Sequence, residues 1–172
     1  MAGGGHVHGQ GQDGGNLIGP SPTDRAKPGV KRSLLVEADG GPLAVVVAGA
    51  NVPDAHLLDA TIRAVVLERP APEPAFPQHL CLDKGYDTEA GWGACIDHDY
   101  EPHIALIRDE RPDRPTRHRP RRWVVERTLA WLSKCRALLV RWDKKAANYL
   151  GLLKLACALL WFRRYHRLAS LR

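Results

Sequence analysis

Apolar residues follow two different periods along the chain, and each period predicts a different kind of element. Residues 33–39 (SLLVEAD) and 42–50 (PLAVVVAGA) are short apolar runs separated by Gly40 and Gly41, which is typical of a β-hairpin. In residues 54–68 the apolar positions recur every three or four residues instead. That spacing predicts a helix that begins with its first aspartate as N-cap.

The second half of the chain repeats the change of period. It predicts a strand at 79–83, a helix at 88–97, a strand at 103–107, a long basic helix at 123–141 and a last helix at 146–165. Strands and helices in this order indicate one α/β domain with a mixed sheet flanked by helices.

Residues 1–18 form a Gly-, His- and Gln-rich segment, which we expect to be a disordered or degenerate tail. Its His6 and His8 are an isolated pair that predicts no metal site. No apolar leader precedes residue 20, so secretion is not expected. The apolar run at 149–162 is interrupted by Lys154 and is shorter than the roughly 20 residues that cross a bilayer. We therefore expect a cytoplasmic protein.

Positive charge is concentrated in one part of the chain. The formal net charge is +6, and residues 108–145 carry 13 Lys or Arg against 5 Asp or Glu, whereas residues 54–99 are net acidic. Such asymmetry favours a nucleic-acid partner over a membrane surface.

The cysteines, histidines and tryptophans suggest packing more than chemistry. Four widely spaced cysteines contain no C-x-x-C pair and are interpreted as buried thiols in a reducing compartment. His79, His98 and His103 lack the spacing of metal ligands. The four tryptophans of the basic C-terminal region are expected mainly in the core, with Trp123 as the exception beside the basic entrance; the four are Trp123, Trp131, Trp142 and Trp161.

One carboxylate stands among many cations in the predicted basic helix. Glu126 lies four residues after Arg122 on one side of the helix, and Lys134 follows about two turns later. Two interpretations fit this pattern: a solvated, ion-paired helix face, or a site that binds phosphate groups.

A second carboxylate, Asp83, ends an apolar strand just before a glycine turn. Ligands of α/β sheets gather at the carboxyl ends of strands, so Asp83 is a candidate site residue. It is equally a candidate turn or cap residue, but Asp87 next to Thr88 is the better cap candidate, which leaves Asp83 without a local structural role.

Together Asp83 and Glu126 resemble half of a two-metal phosphoryl-transfer site. Carboxylates of this kind hold paired divalent ions that activate a nucleophile and stabilise the departing oxygen. The surrounding arginines would neutralise phosphates without reading bases.

The stretches LLVEADGGPLAVVVAGANVPD, LCLDKGYD and RRWVVERTLAWLSKCRALLVRWDKKAANYLGLLKLACALL resemble the DDE transposases of bacterial insertion sequences, in the insertion-sequence-five-like group. The likeness runs from about residue 19 to residue 164. It implies a ribonuclease H-like catalytic domain over 19–168, and cleavage and strand transfer at the ends of a mobile element.

The family pattern can be matched position by position. Asp83 matches the second acid and Glu126 the third, with Arg122 at the family's arginine four residues earlier. Arg119 replaces the family's tyrosine, and Ser133 replaces its lysine with Lys134 one step along. DNA contacts are expected from the basic residues around Glu126, namely Arg119, Arg121, Arg122, Arg127 and Lys134.

The first acid is missing. The family's Asp-Gly-Ser-His-Val-like context reads Gly3-Gly4-Gly5-His6-Val7 here, with Gly3 where the aspartate stands. The remaining acids of this region do not replace it, because one lies in a flexible run and two at the hairpin; they are Asp13, Glu37 and Asp39. The first strand is therefore expected to be degenerate or missing.

The resemblance implies Mg²⁺ or Mn²⁺, with two ions in an intact site. It also implies insertion-sequence ends and target DNA as partners, at the bacterial nucleoid and without a membrane. A homodimer and an upstream-frame product of the same element are candidate protein partners. Two other interpretations remain open, namely an inactive DNA-binding remnant and a hydrolytic nuclease of the same fold.

Overall fold

The computed structural model describes residues 2–11, 15–104 and 122–170, with side chains for 15–104 and 123–170. The strands are β1 (Ala2–Gly11), β2 (Gly19–Pro20), β3 (Pro28–Val36), β4 (Pro42–Gly49), β5 (Gln78–Leu82), β6 (Tyr100–Ile104) and β7 (Val140–Arg141). The helices are α1 (Asp54–Arg63), α2 (Glu89–Asp97), α3 (Arg122–Ser133), α4 (Arg136–Leu139) and α5 (Ala146–Ala169), with a 3-10 turn at Lys84–Tyr86. None of the helices in these ranges is long and apolar enough to cross a membrane.

All seven strands belong to one mixed sheet. Its central order is β3-β1-β5-β6, and β4 pairs with the outer edge of β3. Strands β1, β5 and β6 run parallel, whereas β3 runs antiparallel to both β1 and β4. The predicted mixed α/β architecture is confirmed, with helices on both faces as the ribonuclease H-like expectation requires.

Each face of the sheet carries its own core. On one face, Leu35, Leu80 and Leu82 pack against α1 and α2. On the other face, Leu34 and Val45 pack against α3 and α5. Leu34 and Leu35 enter different cores because successive strand residues point to opposite faces. Every core-facing position on β3 and β5 can be assigned from this alternation.

The hairpin between β3 and β4 is confirmed, and its tight turn requires glycine. Gly40 has φ +91°, a conformation that side-chain-bearing residues rarely adopt. A β-carbon there would also lie 2.9 Å from the guanidinium of Arg127 and 3.0 Å from the hydroxyl of Thr128. The turn therefore fits closely against α3.

The N-terminal segment differs from the expected tail. Ala2–Gly11 forms β1, which pairs with β3, β5 and β7 at the centre of the sheet. Glycine costs backbone entropy in a strand, but strands on both sides satisfy its hydrogen bonds. The first strand is present, although it lacks the acid.

The long basic helix predicted at 123–141 is interrupted. Helix α3 ends at Ser133, where the Lys134 and Cys135 amides donate to carbonyls three residues earlier. Residues 140–141 then pair with β1 as β7. Tertiary pairing outweighs the local helix propensity of this stretch.

Other boundaries shift by a few residues. Helix α1 ends at Arg63 rather than 68, and its N-cap is Pro53. Asp54, predicted as the cap, is instead the first helical residue, and its carboxylate pairs with Lys31. Strand β6 begins at Tyr100, earlier than predicted, and residues 105–107 of the predicted strand lie outside the described ranges. Helix α5 extends to Ala169.

Two packing predictions were wrong. Trp131, Trp142 and Trp161, which were expected in the core, are 41%, 65% and 37% exposed, whereas Trp123, the expected exception, is 57% exposed. Cys135 is exposed rather than buried, whereas Cys95 is fully buried. Helical spacing among leucines did not distinguish the buried stripe of the helix from its flanks.

Candidate functional site

Asp83 lies directly after β5, at the carboxyl end of the strand, as predicted. It is half-buried, and its Oδ1 accepts a hydrogen bond of 2.6 Å from the Lys84 amide, which caps the 3-10 turn. The expectation that Asp83 has no local structural role was therefore wrong. A carboxylate offers about four lone pairs, so the hydrogen bond from the Lys84 amide does not by itself exhaust its capacity for a cation.

The α2 cap was also misassigned. Thr88 caps α2 by accepting from the Gly91 amide, while Asp87 accepts from the indole of Trp92. The aspartate of the LDKGYD stretch that stands at the sheet rim is therefore Asp83, and its neighbour four residues on serves the packing of α2.

Glu126 is exposed on α3. The buried stripe of this helix is formed by Val124, Val125, Thr128, Leu129 and Leu132. Successive helix positions turn by about 100°, so Glu126 and Arg127 lie on opposite flanks of that stripe. Neither candidate carboxylate is turned into a hydrophobic core.

Sheet geometry puts Asp83 and Glu126 on the same face. Leu80 and Leu82 point into the core of α1 and α2, so the alternate position of Asp83 belongs to the face that α3 covers. Helix α3 packs on β1 and β3, and α5 packs on β4. The Arg127 flank faces α5, so the Glu126 flank faces the β5 side of the sheet.

The glycine at the family's first-acid position stands between these two elements. Gly3 pairs with Cys81 on β5 and with Val36 on β3. Both partners lie on the α3 face, since Val36 packs in its core and Cys81 alternates with Leu80 and Leu82. A side chain at position 3 would therefore start from the face that carries Asp83.

The donor set of these residues fits a hard divalent cation. Carboxylate oxygens of an exposed Glu126 and a half-buried Asp83 are the ligands that Mg²⁺ and Mn²⁺ prefer, with waters and phosphates completing the shell. With Gly3 in place of an acid, two protein carboxylates remain.

A charged network behind Asp83 was missed by sequence reasoning. The Nζ of Lys31 lies 2.8 Å from Oδ1 of Asp54, with the Lys31 side chain only 5% exposed. Burial, and then the charges of Asp54 and Asp83, raise the pKa of Tyr86 far above its ordinary value, while a hydrogen bond with Ser33 acts in the opposite direction. Both aspartates are thus close enough to act on one buried phenol.

The only sequence signal for this network was a lysine at a core-facing strand position. Lys31 lies on the same buried strand face as Ser33 and Leu35, and lysines are rarely buried unless they are paired.

The predicted DNA-binding residues separate into two groups. Arg119 and Arg121 lie outside the described residues, and Arg122 begins α3 without a described side chain. Arg127 and Lys134 line a cavity of about 990 Å³ between the hairpin, α3 and α5. They lie on the flank opposite to Glu126, whereas the sequence predicted Lys134 on the same side.

This cavity, the basic–aromatic groove, is lined by cations and indoles. Its cationic and aromatic members are Arg127, Lys134, Arg163, Arg164, Arg167, Trp123, Trp131 and Trp161, and the acidic Asp39 also lines it. The guanidinium of Arg127 lies 4.8 Å from the ring of Trp123 and 5.4 Å from that of Trp131. Stacked guanidinium and indole groups suit phosphates and bases.

The three arginines of α5 were not predicted as site residues. Arg164 stacks over Trp161 at 5.1 Å and pairs with Glu37 of the hairpin. The RRYHR run at 163–167 was the available signal, but an amphipathic terminal helix explains it equally well.

Three comparisons bear on the family of this chain. A model of the transposase DDE domain matches residues 6–161. The putative transposase for insertion sequence element IS402 of Burkholderia cepacia is 39% identical over 158 residues, covering 87% of this chain and 70% of that protein. The crystal structure of the catalytic core domain of BIV integrase aligns with a TM-score of 0.46 and 15% identity, covering 91% of this chain and 79% of that one.

The predicted resemblance is confirmed by the domain match and by the identity to the insertion-sequence relative. The chain belongs to the DDE transposase family of bacterial insertion sequences.

Proposed function

We propose that this chain cleaves DNA and transfers the cut strand at the ends of an insertion sequence, with Asp83 and Glu126 as its metal-holding catalytic residues. The single observation that carries the proposal is their placement. One lies at the end of β5 and the other on the α3 flank turned towards β5, on one face of the sheet.

Divalent ions bound between these carboxylates would activate the attacking water or sugar hydroxyl and stabilise the leaving oxygen of the phosphodiester. Asp83 would enter this site pre-oriented by its hydrogen bond from the Lys84 amide. Mg²⁺ or Mn²⁺ is the proposed cofactor, with two ions once three acids are present.

DNA would approach along the cationic side of the molecule. The basic–aromatic groove lies on the flank of α3 opposite to Glu126, so a DNA strand held by Arg127 and Lys134 would cross α3 to reach Glu126. Insertion-sequence ends and target DNA are the proposed partners, and the nucleoid the place of action. A homodimer or a product of an upstream reading frame would complete the assembly.

The catalytic assignment is tested by strand cleavage on labelled element-end DNA with Mg²⁺ or Mn²⁺. Glu126→Gln should abolish cleavage and strand transfer while DNA binding is retained or tightened, because a repelling charge is removed. Glu89→Gln is the matched control, since Glu89 is exposed on α2 across the sheet. Equal cleavage by the parent chain and by Glu126→Gln would overturn the assignment.

A second candidate function, a DNA-binding remnant without catalysis, is favoured by one observation, the glycine at position 3 next to β5. Gly3→Asp separates the two candidates. Metal-dependent cleavage that appears or rises in Gly3→Asp, and disappears in Gly3→Asp with Glu126→Gln, supports the two-metal site. A Gly3→Asp chain that binds DNA but never cleaves it supports the remnant.

A further inference from the structure

A cluster of imidazole and carboxylate ligands stands on β5 and β6, apart from the proposed catalytic pair. The register pairs His79 with Glu101 and Cys81 with His103. Leu80 and Leu82 are buried on the opposite face, so His79 and Cys81 share the face that α1 and α2 leave uncovered. His79 and His103 are therefore neighbours across two strands despite their separation in sequence.

The ligand atoms of this cluster converge on one small space. His79 Nδ1 lies 2.8 Å from His103 Nε2 and 3.2 Å from Glu101 Oε2. The candidate ligand atoms of all three residues lie within 4.8 Å of one another. Among the described residues this is the one group that brings three such ligands together.

The two contacts of His79 Nδ1 compete for one proton. The Nδ1 of a neutral imidazole either donates one proton or offers one lone pair. If Nδ1 of His79 accepts from His103, it presents a lone pair to the Glu101 carboxylate 3.2 Å away. If it donates, one proton must serve two acceptors. A cation satisfies all three atoms at once.

We propose that His79, Glu101 and His103 bind a divalent transition metal of the zinc class. Two imidazole nitrogens and one carboxylate form a known zinc ligand set with an open fourth position. Mg²⁺ is disfavoured there because it prefers oxygen ligands. Nitrogen ligands about 2.0–2.1 Å from a tetrahedral ion lie about 3.3 Å apart. The imidazole nitrogens, now 2.8 Å apart, need to separate by only about half an ångström.

Such an ion would cross-link β6, at the edge of the sheet, to β5. Strand β6 ends the central strand order, and its neighbour β5 leads directly into Asp83. At about 3.3 Å per residue, His79 stands roughly 13 Å before Asp83 along the strand, and His103, in register with Cys81, stands roughly 7 Å before it. The proposed metal site shares no ligand with the catalytic pair, and it would stabilise the strand that carries Asp83.

Cobalt substitution gives a direct test on the full chain. After treatment with EDTA, the protein is titrated with Co²⁺, and the d–d absorption of a four-coordinate site is followed; Zn²⁺ is then added as competitor. We expect one equivalent of bound Co²⁺, displaced by Zn²⁺ and not by excess Mg²⁺. A rise in melting temperature with Zn²⁺ is expected in the same samples.

Matched variants identify the ligands. His79→Ala and His103→Ala should weaken Co²⁺ binding by more than about 100-fold, beyond the cost of losing an outer-shell partner. Glu101→Gln, at a half-exposed side chain, tests the carboxylate without disturbing the core. His98→Ala is the control, because His98 pairs with Asp59 away from the cluster and should leave the titration unchanged.

Several outcomes would overturn the proposal. The first is a titration without a four-coordinate spectrum. The second is a thiolate charge-transfer band, since it would assign the ion to a cysteine. The third is a spectrum that survives His79→Ala but disappears when His6 and His8 are both replaced.

Discussion

The ammonium of Lys31 on β3 and the carboxylate of Asp54 at the start of α1 form an ion pair 2.8 Å long, and Lys31 also donates to the Val52 carbonyl. The pair fixes the first turn of α1 against the sheet behind Tyr86. The Lys31 side chain is 95% shielded from water, so Asp54 and the Val52 carbonyl replace the water contacts that its ammonium loses.

Removal of one partner should therefore be costly. Asp54→Ala leaves the Lys31 ammonium buried and is expected to lower the free energy of unfolding by about 3–5 kcal/mol. Urea denaturation with circular dichroism measures the loss. Asp24→Ala is the control, because the Asp24–Lys27 pair is exposed and is worth no more than about 1 kcal/mol. Equal effects of the two substitutions would contradict a stabilising role for the buried pair.

The contact between Glu37 and Arg164 predicts a pH dependence. Burial raises the pKa of Glu37, but hydrogen bonds from the Asp39 and Gly41 amides and from Arg164 outweigh it, so the pKa is lowered below 4.5. A lowered carboxyl pKa contributes stability above the unfolded value that is lost as the pH falls through the folded value. Glu37→Gln should therefore cost about 1–2 kcal/mol near neutral pH.

That cost should begin to shrink as the pH falls below about 4.5, where the unfolded chain takes up the proton, and should be lost once the pH falls through the lower pKa of folded Glu37. Urea denaturation curves at several pH values follow it. Glu68→Gln, at an exposed position, should show no comparable trend. If the cost of Glu37→Gln stayed constant down to pH 3, the charge of Glu37 would not be the source of the stabilisation.

Arg127 is expected to contribute one phosphate contact in the basic–aromatic groove. Arg127→Ala should weaken DNA binding on all sequences and reduce the slope of log K against log salt by about one. Fluorescence anisotropy at several salt concentrations measures both quantities, and Arg122→Ala should behave alike. Arg63→Ala, an exposed arginine on α1 across the sheet, serves as control. An unchanged slope in Arg127→Ala would remove this residue from the phosphate contacts.

The cysteines should differ in reactivity. Burial raises the pKa of the Cys95 and Cys157 thiols to about 11. Against an ordinary value near 8.5, their thiolate fraction at pH 8 is lower by a factor of about 100 or more. Iodoacetamide should modify exposed Cys135 first, as read by peptide mass spectrometry. Labelling in urea should equalise the four cysteines, and Cys95 reacting as fast as Cys135 in the folded chain would contradict the burial argument.

Local sequence patterns correctly predicted the elements whose boundaries are set by nearby residues. The β3–β4 hairpin, the end of β5 at Asp83 and the start of α5 at Ala146 follow from turn residues and apolar periods. Helix α3 could not be bounded, because pairing of 140–141 with β1 is a distant contact that competes with helix propensity. Residues 2–11, predicted as a tail, likewise form β1 because they pair with strands that are distant in sequence.

The site divides in the same way. The sequence by itself determined the family, and its motifs, which resemble those of DDE transposases, were enough to propose Asp83 and Glu126 as site residues. Only the tertiary structure decided which flank of α3 each charge occupies, that Lys31 meets Asp54, and that His79 meets His103. Such meetings depend on strand register and helix rotation, and these are set by the packing of two cores rather than by any local run of residues.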